Sequence, residues 1–235
     1  MCNTSLTPEA RARDLVARMT LAEKGQNLGG VGGWGGSAGV PRLGIPESQA
    51  MQSSEALHGL VQAGCGTPTF WPELGGNNTG CATSFPHALA LGATFNRSLW
   101  GLVGDRISTE ARAAHNTGHL AALWLWAPDI NLFKDPRWGR GQEVPGEDPF
   151  LNGEYAMRWI HAFQRGVDPD GETLHLKAVP AAKHAFDYDL ENWGGFSRDS
   201  FNAVVSDRDQ VEYYFPAWRA ALQGGRAASV MCSCA

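Results

Sequence analysis

Along the chain, apolar positions recur at helical spacing in several stretches and fuse into short continuous runs between them. Leu15, Val16 and Met19 follow Thr7-Pro8, where threonine can cap and proline can take the first helical position, so the chain opens on a helix. Thr20-Leu21-Ala22-Glu23 has the form of a capping box and predicts a second short helix. Ser98 to about Ala114 carries Leu99, Leu102, Val103 and Ile107 on one side, and a further helix is predicted from about Leu151 to Phe163. Ser206-Asp207-Arg208-Asp209 can cap a helix bearing Val211, Phe215, Trp218 and Leu222. The runs Leu120 to Trp126, Lys177 to Lys183 and Arg226 to Cys232 have the length and composition of buried strands. Strand, loop and helix repeated in this way imply right-handed crossovers and an α/β fold with a parallel sheet covered on both faces.

The segments between these elements are rich in glycine. Gly29-Gly30-Val31-Gly32-Gly33-Trp34-Gly35-Gly36 has no strand before it and no helix after it, so it reads as a loop and not as a phosphate cradle. Residues 60 to 85 form a second loop, bracketed by Cys65 and Cys81, which a local disulfide could close. A net charge of −5, with no run of Lys or Arg longer than two, argues against nucleic acid or an anionic membrane as the partner. No apolar stretch nears the roughly 18 residues of a membrane span, so the chain is expected to be soluble. Sequons at Asn3, Asn77 and Asn96 lean towards a secreted glycoprotein, although Met1-Cys2-Asn3-Thr4-Ser5 has no features of a signal peptide.

The candidate chemistry sits just after the predicted strands. In a parallel α/β fold the C-terminal strand ends form the functional face, whether the sheet is open or closed into a barrel. Four polar clusters fall there: Ser53-Ser54-Glu55-Ala56-Leu57-His58-Gly59, Asp135 to Asp148, Lys183-His184, and Asp187 to Arg198. Taken singly, each is a surface charge, a turn or a core histidine. Together they gather cations (Arg140, Lys183, Arg198), acids and indoles on one edge, which suits a neutral polyhydroxylated ligand. Nine tryptophans supply flat apolar platforms for sugar C–H faces, and Trp126, at the end of a predicted strand, is the candidate for that role. No H-E-x-x-H, paired C-x-x-C or P-loop is present, so no cofactor or metal is expected. Asp187-x-Asp189 as the metal doublet of a nucleotide-sugar transferase is the weaker reading.

Several motifs occur in order: Ser54-Glu55-Ala56-Leu57-His58-Gly59, Pro136-Arg137-Trp138-Gly139-Arg140-Gly141-Gln142-Glu143 with Gly146-Glu147-Asp148-Pro149, Lys183-His184, and Tyr188-Asp189-Leu190-Glu191-Asn192-Trp193. Phe201-Asn202-Ala203 and Ser229-Val230-Met231-Cys232-Ser233 follow. From about residue 2 to residue 233 the chain resembles glycoside hydrolase family 3, and within it the β-xylosidase branch. The resemblance implies a retaining exo-glycosidase on a (β/α)8-like TIM barrel followed by an α/β sandwich domain. It makes residues 1–235 an incomplete N-terminal barrel domain with the second domain absent. It also implies that Glu55 contacts the 4-hydroxyl side of a terminal sugar, that Arg140, Lys183 and His184 hold neighbouring hydroxyls, and that Arg198 acts from the following loop.

Glucose-preferring relatives usually carry a shorter Asp at the position of Glu55. The longer Glu would crowd the C6 hydroxymethyl that a glucoside has and a xyloside lacks, which favours a xylo-oligosaccharide substrate. The alternatives are a β-glucosidase and a non-catalytic carbohydrate-binding fragment or pseudoenzyme. Cys234 stands where the family usually has tyrosine, and Ala185 where it has an aromatic residue after the Lys-His pair. The family's nucleophile and acid/base lie on later strands. The chain alone is therefore expected to bind sugar without hydrolysing it, and to self-associate through an open barrel edge.

Overall fold

The computed structural model describes residues 3, 5–28, 38–45, 83, 85–116, 123–166, 175–188 and 190–232. They fall into two compact units, residues 1–50 and 51–235. Neither the loop bracketed by Cys65 and Cys81 nor Glu55 lies within the described residues.

The first unit contains α1 (Pro8–Arg18) and α2 (Leu21–Leu28). Thr7 Oγ1 accepts from Ala10 N at 3.2 Å and caps α1. At α2 the capping box closes in both directions: Glu23 N donates to Thr20 Oγ1 at 3.2 Å, and Thr20 N donates to Glu23 Oε2 at 2.8 Å. Arg42 then joins the same carboxylate, with Nη2 at 2.8 Å from Glu23 Oε2.

In the second unit, α3 (Ala88–Gly92) and α4 (Arg97–Asn116) precede β1 (Trp124–Leu125). A 3₁₀ turn (Gly141–Glu143) leads into α5 (Pro149–Arg165), capped by Asp148, whose Oδ1 accepts from Leu151 N at 2.6 Å. β2 (Val179–Ala185) follows, then β3 (Asn192–Trp193) and β4 (Phe196–Ser197). A long helical stretch comes next: α6 (Asp207–Asp209), a π segment (Gln210–Tyr214), α7 (Phe215–Arg219) and a second π segment (Ala220–Gly224). β5 (Ser229–Cys232) ends the described chain.

Among the described residues β1, β2 and β5 form one sheet in that order, and both pairings are parallel. The expected α/β architecture is therefore present. The core lies where α4 and α5 pack along one another and α5 leans on the sheet. Trp100, Tyr155, Trp159, Ile160 and Phe163 are buried there with Leu125 and Ile130. Gly104 lets the two helices approach, because a Cβ on it would stand 2.6 Å from Trp159 O.

Three expectations need correction. Leu102 is 40% exposed whereas Val103 and Ile107 are buried, since the buried stripe of α4 is narrower than the apolar positions alone imply. The segment read as loop through Arg198 holds an antiparallel hairpin, β3–β4. In the last helical stretch Trp218 is buried, but Val211 (63%), Phe215 (38%) and Leu222 (44%) remain exposed. Together with Trp218 they line one open groove against Phe186, so the apolar face is present but open.

Candidate functional site: a balanced charge cluster at a strand bulge

Lys183 and His184 lie within β2, near its C-terminal end, and not beyond it. The chain after β1 runs alongside them. Asp129 is bridged to Lys183 in parallel register, Lys183 N donates to Pro128 O at 3.0 Å, and Ile130 N donates to Lys183 O at 2.8 Å. On the other side β2 pairs with β5 at Ala181, Ala182 and Ala185, and the register slips between Ala182 and Ala185. The slip adds one residue to β2 at the Lys-His pair. Such a bulge re-aims side chains at the edge of a sheet, which makes it a natural seat for a site.

Asn131 takes the place of a strand partner for His184. Its Oδ1 accepts from His184 N at 2.7 Å, its Nδ2 donates to His184 O at 2.8 Å, and the same Oδ1 lies 3.1 Å from His184 Nδ1. Asp129 Oδ2 is 3.3 Å from that ring nitrogen. Two acceptors facing Nδ1 assign the proton to it and leave Nε2 as an acceptor, 3.2 Å from Arg140 Nη1. Asp129, Asn131, Lys183 and His184 are all buried. Burial holds the imidazole pKa below its ordinary value, and Lys183 and Arg140 add to that against the pull of Asp129, so the ring is neutral near pH 7.

Arg140 reaches the group from the start of the 3₁₀ turn and is held by Glu143 in a two-bond fork, Nε to Oε1 at 2.7 Å and Nη2 to Oε2 at 2.6 Å. Lys183 Nζ is 3.2 Å from Glu143 Oε2, so one carboxylate serves both cations. Burial would raise the Glu143 carboxyl, but the Arg140 fork and Lys183 outweigh it and hold it below the usual range. Asp129 follows the same pattern: contact with His184 and attraction to Lys183 and Arg140 outweigh its burial.

A second tier stands against Arg140. Glu191 Oε1 is 3.7 Å from Arg140 Nε, and Glu191 Oε2 is 3.6 Å from Arg198 Nη1. The Tyr188 hydroxyl donates to Glu191, and its ring meets His184 edge-on at 4.8 Å and Trp138 edge-on at 5.6 Å. Burial and then Glu191 push the Tyr188 phenol up to about 12. Lys183, Arg140 and Arg198 thus face Asp129, Glu143 and Glu191, with a neutral imidazole between them.

Of the residues expected from sequence, Arg140, Lys183 and His184 come together, and Arg198 joins them through Glu191. Trp126 follows β1 directly, three residues ahead of Asp129, with its ring 5.1 Å from Trp124. Five contributors have no role assigned from the sequence: Asp129, Asn131, Glu143, Tyr188 and Glu191. Glu143 carried a signal, since it follows Arg140 at a spacing that one helical turn closes. Nothing local distinguishes Asn131 from any loop asparagine. Among the described residues no group of three His, Cys, Asp or Glu side chains is placed to hold a metal ion. What the cluster offers is a dense set of oriented donors and acceptors with no net formal charge.

The chain has known relatives. The model for the glycosyl hydrolase family 3 N-terminal domain matches residues 49–233. A beta-xylosidase/alpha-L-arabinofuranosidase of Medicago sativa subsp. varia is 45% identical over 232 residues, covering 99% of this chain. A solved GH3 exo-beta-xylosidase, in complex with a xylobiose aziridine activity based probe, superposes with a TM-score of 0.79 at 38% identity over 99% of this chain. A beta-glucosidase from Kluyveromyces marxianus gives a TM-score of 0.70 at 26% identity over 94% of this chain and 22% of its own. The chain spans 28% of the length of both the Medicago relative and the solved exo-beta-xylosidase. With the family model matched across the whole parallel sheet and the charge cluster, this chain belongs to glycosyl hydrolase family 3.

Proposed function

We propose that this chain is the sugar-binding part of a β-xylosidase-type glycosidase, its residues 1–235 forming the N-terminal portion of a (β/α) barrel. In this reading Arg140, Lys183 and His184 hold neighbouring hydroxyls of a terminal β-xylosyl residue of a xylo-oligosaccharide. Arg198 supports them from the hairpin, and Glu55 closes the 4-hydroxyl side. The observation that carries it is the charge balance of the cluster. Each cation already has a carboxylate in reach, so the ligand need bring no charge, and a neutral polyol exchanges hydrogen bonds with fixed donors and acceptors.

Retaining hydrolysis needs a nucleophilic carboxylate and an acid about 5 Å from it. Neither acid at the heart of the cluster suits that work. Asp129 is buried against His184, and Glu143 is bound by two cations. The chain alone is accordingly proposed to bind without cleaving. Secretion as a glycoprotein is proposed from the sequons, of which Asn3 and Asn96 are exposed. Self-association is proposed from β5, whose outer edge has no strand partner among the described residues. Light scattering over a range of concentrations reads it, and a strictly monomeric chain would contradict it.

Two assays test the main reading. Calorimetry should give tighter binding of xylose than of glucose, and p-nitrophenyl β-xyloside should release no p-nitrophenol. Tighter binding of glucose would favour the β-glucosidase reading. Release of p-nitrophenol above background would overturn the non-hydrolytic assignment.

A further inference from the structure

The β3–β4 hairpin carries an aromatic pair that the cluster does not use. Its two-residue turn is Gly194-Gly195, at φ +57° and +90°, the left-handed region that favours glycine in such turns. Trp193 pairs directly with Phe196 across the ladder. Side chains alternate along a strand and paired residues share a face, so Glu191, Trp193, Phe196 and Arg198 project on one side, and the Glu191–Arg198 ion pair bears this out. The inner rung of that face, Glu191, touches Arg140. The outer rung stands about 6.6 Å further along and is apolar, with Trp193 63% and Phe196 60% exposed.

The indole is also braced from the loop that carries Arg140. The Arg137 guanidinium lies over the Trp193 ring at 5.2 Å and is itself forked onto Asp135, with Nη2 to Oδ2 at 2.5 Å. Arg137 and Arg140 are three residues apart, so a single loop supports the charge cluster at one end and the aromatic pair at the other. A large aromatic pair left open on a short hairpin gains nothing from core packing. Flat apolar surface one rung from a cluster of oriented donors and acceptors matches the surface of an oligosaccharide, whose rings alternate C–H faces with hydroxyl edges.

We propose that the Trp193–Phe196 face is a second sugar-ring subsite, which stacks the residue next to the terminal one in a β-linked oligosaccharide. This rests on the reading of the Arg140–Lys183–His184 cluster as the terminal-sugar site. The test compares xylose with xylobiose on the 15N-labelled 235-residue chain and its W193A, W193F and F196A variants. Wild type is expected to bind xylobiose about tenfold more tightly than xylose, and W193A to lose at least about fivefold of that preference. W193F, which keeps a flat ring, should retain most of the preference, and F196A should lose part of it. The Trp193 indole N–H resonance, identified by its loss in W193F, should shift with xylobiose much more than with xylose. The other indole resonances in W193A report that the fold is intact. Should W193A not fold, the Trp193 resonance of wild type decides the matter by itself. Wild type without a preference for xylobiose, an unchanged preference in W193A, or an indole resonance that ignores xylobiose would overturn the subsite and leave the terminal-sugar reading standing. Wild type that binds neither sugar would overturn both.

Discussion

The side-chain amide of Asn131 pairs with the backbone of His184 as a neighbouring strand would, accepting from its N–H at 2.7 Å and donating to its C=O at 2.8 Å. A side chain thereby satisfies both backbone groups of a buried residue at a bulge, where the regular ladder is interrupted. The same Asn131 oxygen faces the imidazole Nδ1 and helps fix which ring nitrogen carries the proton.

Asn131→Ala is expected to destabilise the fold by about 2–3 kcal/mol, because it leaves two buried backbone groups without partners. Urea unfolding measures this. A loss below about 0.5 kcal/mol would show that the bulge holds without the amide.

Glu143→Gln keeps the size of the side chain but removes the charge shared by Arg140 and Lys183. Two cations then stand together with one carboxylate fewer, at an expected cost of about 3 kcal/mol. Xylose affinity should fall with it, since the Arg140 fork loses its anchor. The comparison of interest is with Glu212→Gln, a change in an exposed helical pair that should cost less than about 0.5 kcal/mol.

Stability should fall on the acid side. The folded-state pKa of His184 lies below its ordinary 6.5, so between the two values the unfolded chain binds more protons and stability drops as pH falls below about 6.5. Asp129 and Glu143 are also held low, from 3.8 and 4.5, so their contributions are present above those values and are lost as pH falls through the folded ones. All three act in the same direction. His161, held low by burial and then by Arg165, Arg226 and Arg158, adds to the first window. Unfolding free energy at about pH 5.5 should therefore be lower than at about pH 7.5, and His184→Gln should reduce the difference. Equal or greater stability at pH 5.5 would refute the assignment of a neutral imidazole.

Gly104→Ala should cost about 2–3 kcal/mol, because the new methyl meets Trp159 O, a backbone atom that cannot turn aside. Gly101→Ala, one turn earlier on the same helix, meets nothing closer than 3.7 Å and should be neutral or slightly stabilising. Similar effects at both sites would mean that α4 and α5 do not pack as described.

Caps and strands were legible in the sequence because their signals are local. Thr7, the Thr20–Glu23 box and Ser206 act on residues within one turn, and buried parallel strands read as short apolar runs. In the last helical stretch the shared apolar face of Val211, Phe215, Trp218 and Leu222 was legible too, but local spacing carries no information on whether another element covers it. The hairpin was hidden for another reason. Its two rungs are too short for periodicity to register, although Gly194-Gly195 is a turn signal. Within the site, Arg140, Lys183 and His184 could be named from their motifs, whereas Asp129 and Asn131 act across more than 50 residues of sequence through a parallel register that only the fold creates.

Whether Arg140, Lys183 and His184 form one sugar-holding site is decided by xylose titration of wild type beside Arg140→Ala. Arg140 is the choice because its fork reaches the cluster from the loop, so its removal leaves the sheet hydrogen bonds of Lys183 and His184 in place. Saturable binding by wild type, weakened at least about tenfold in a variant that still unfolds cooperatively, is the predicted result. Equal binding by both chains, or none by wild type, would contradict it.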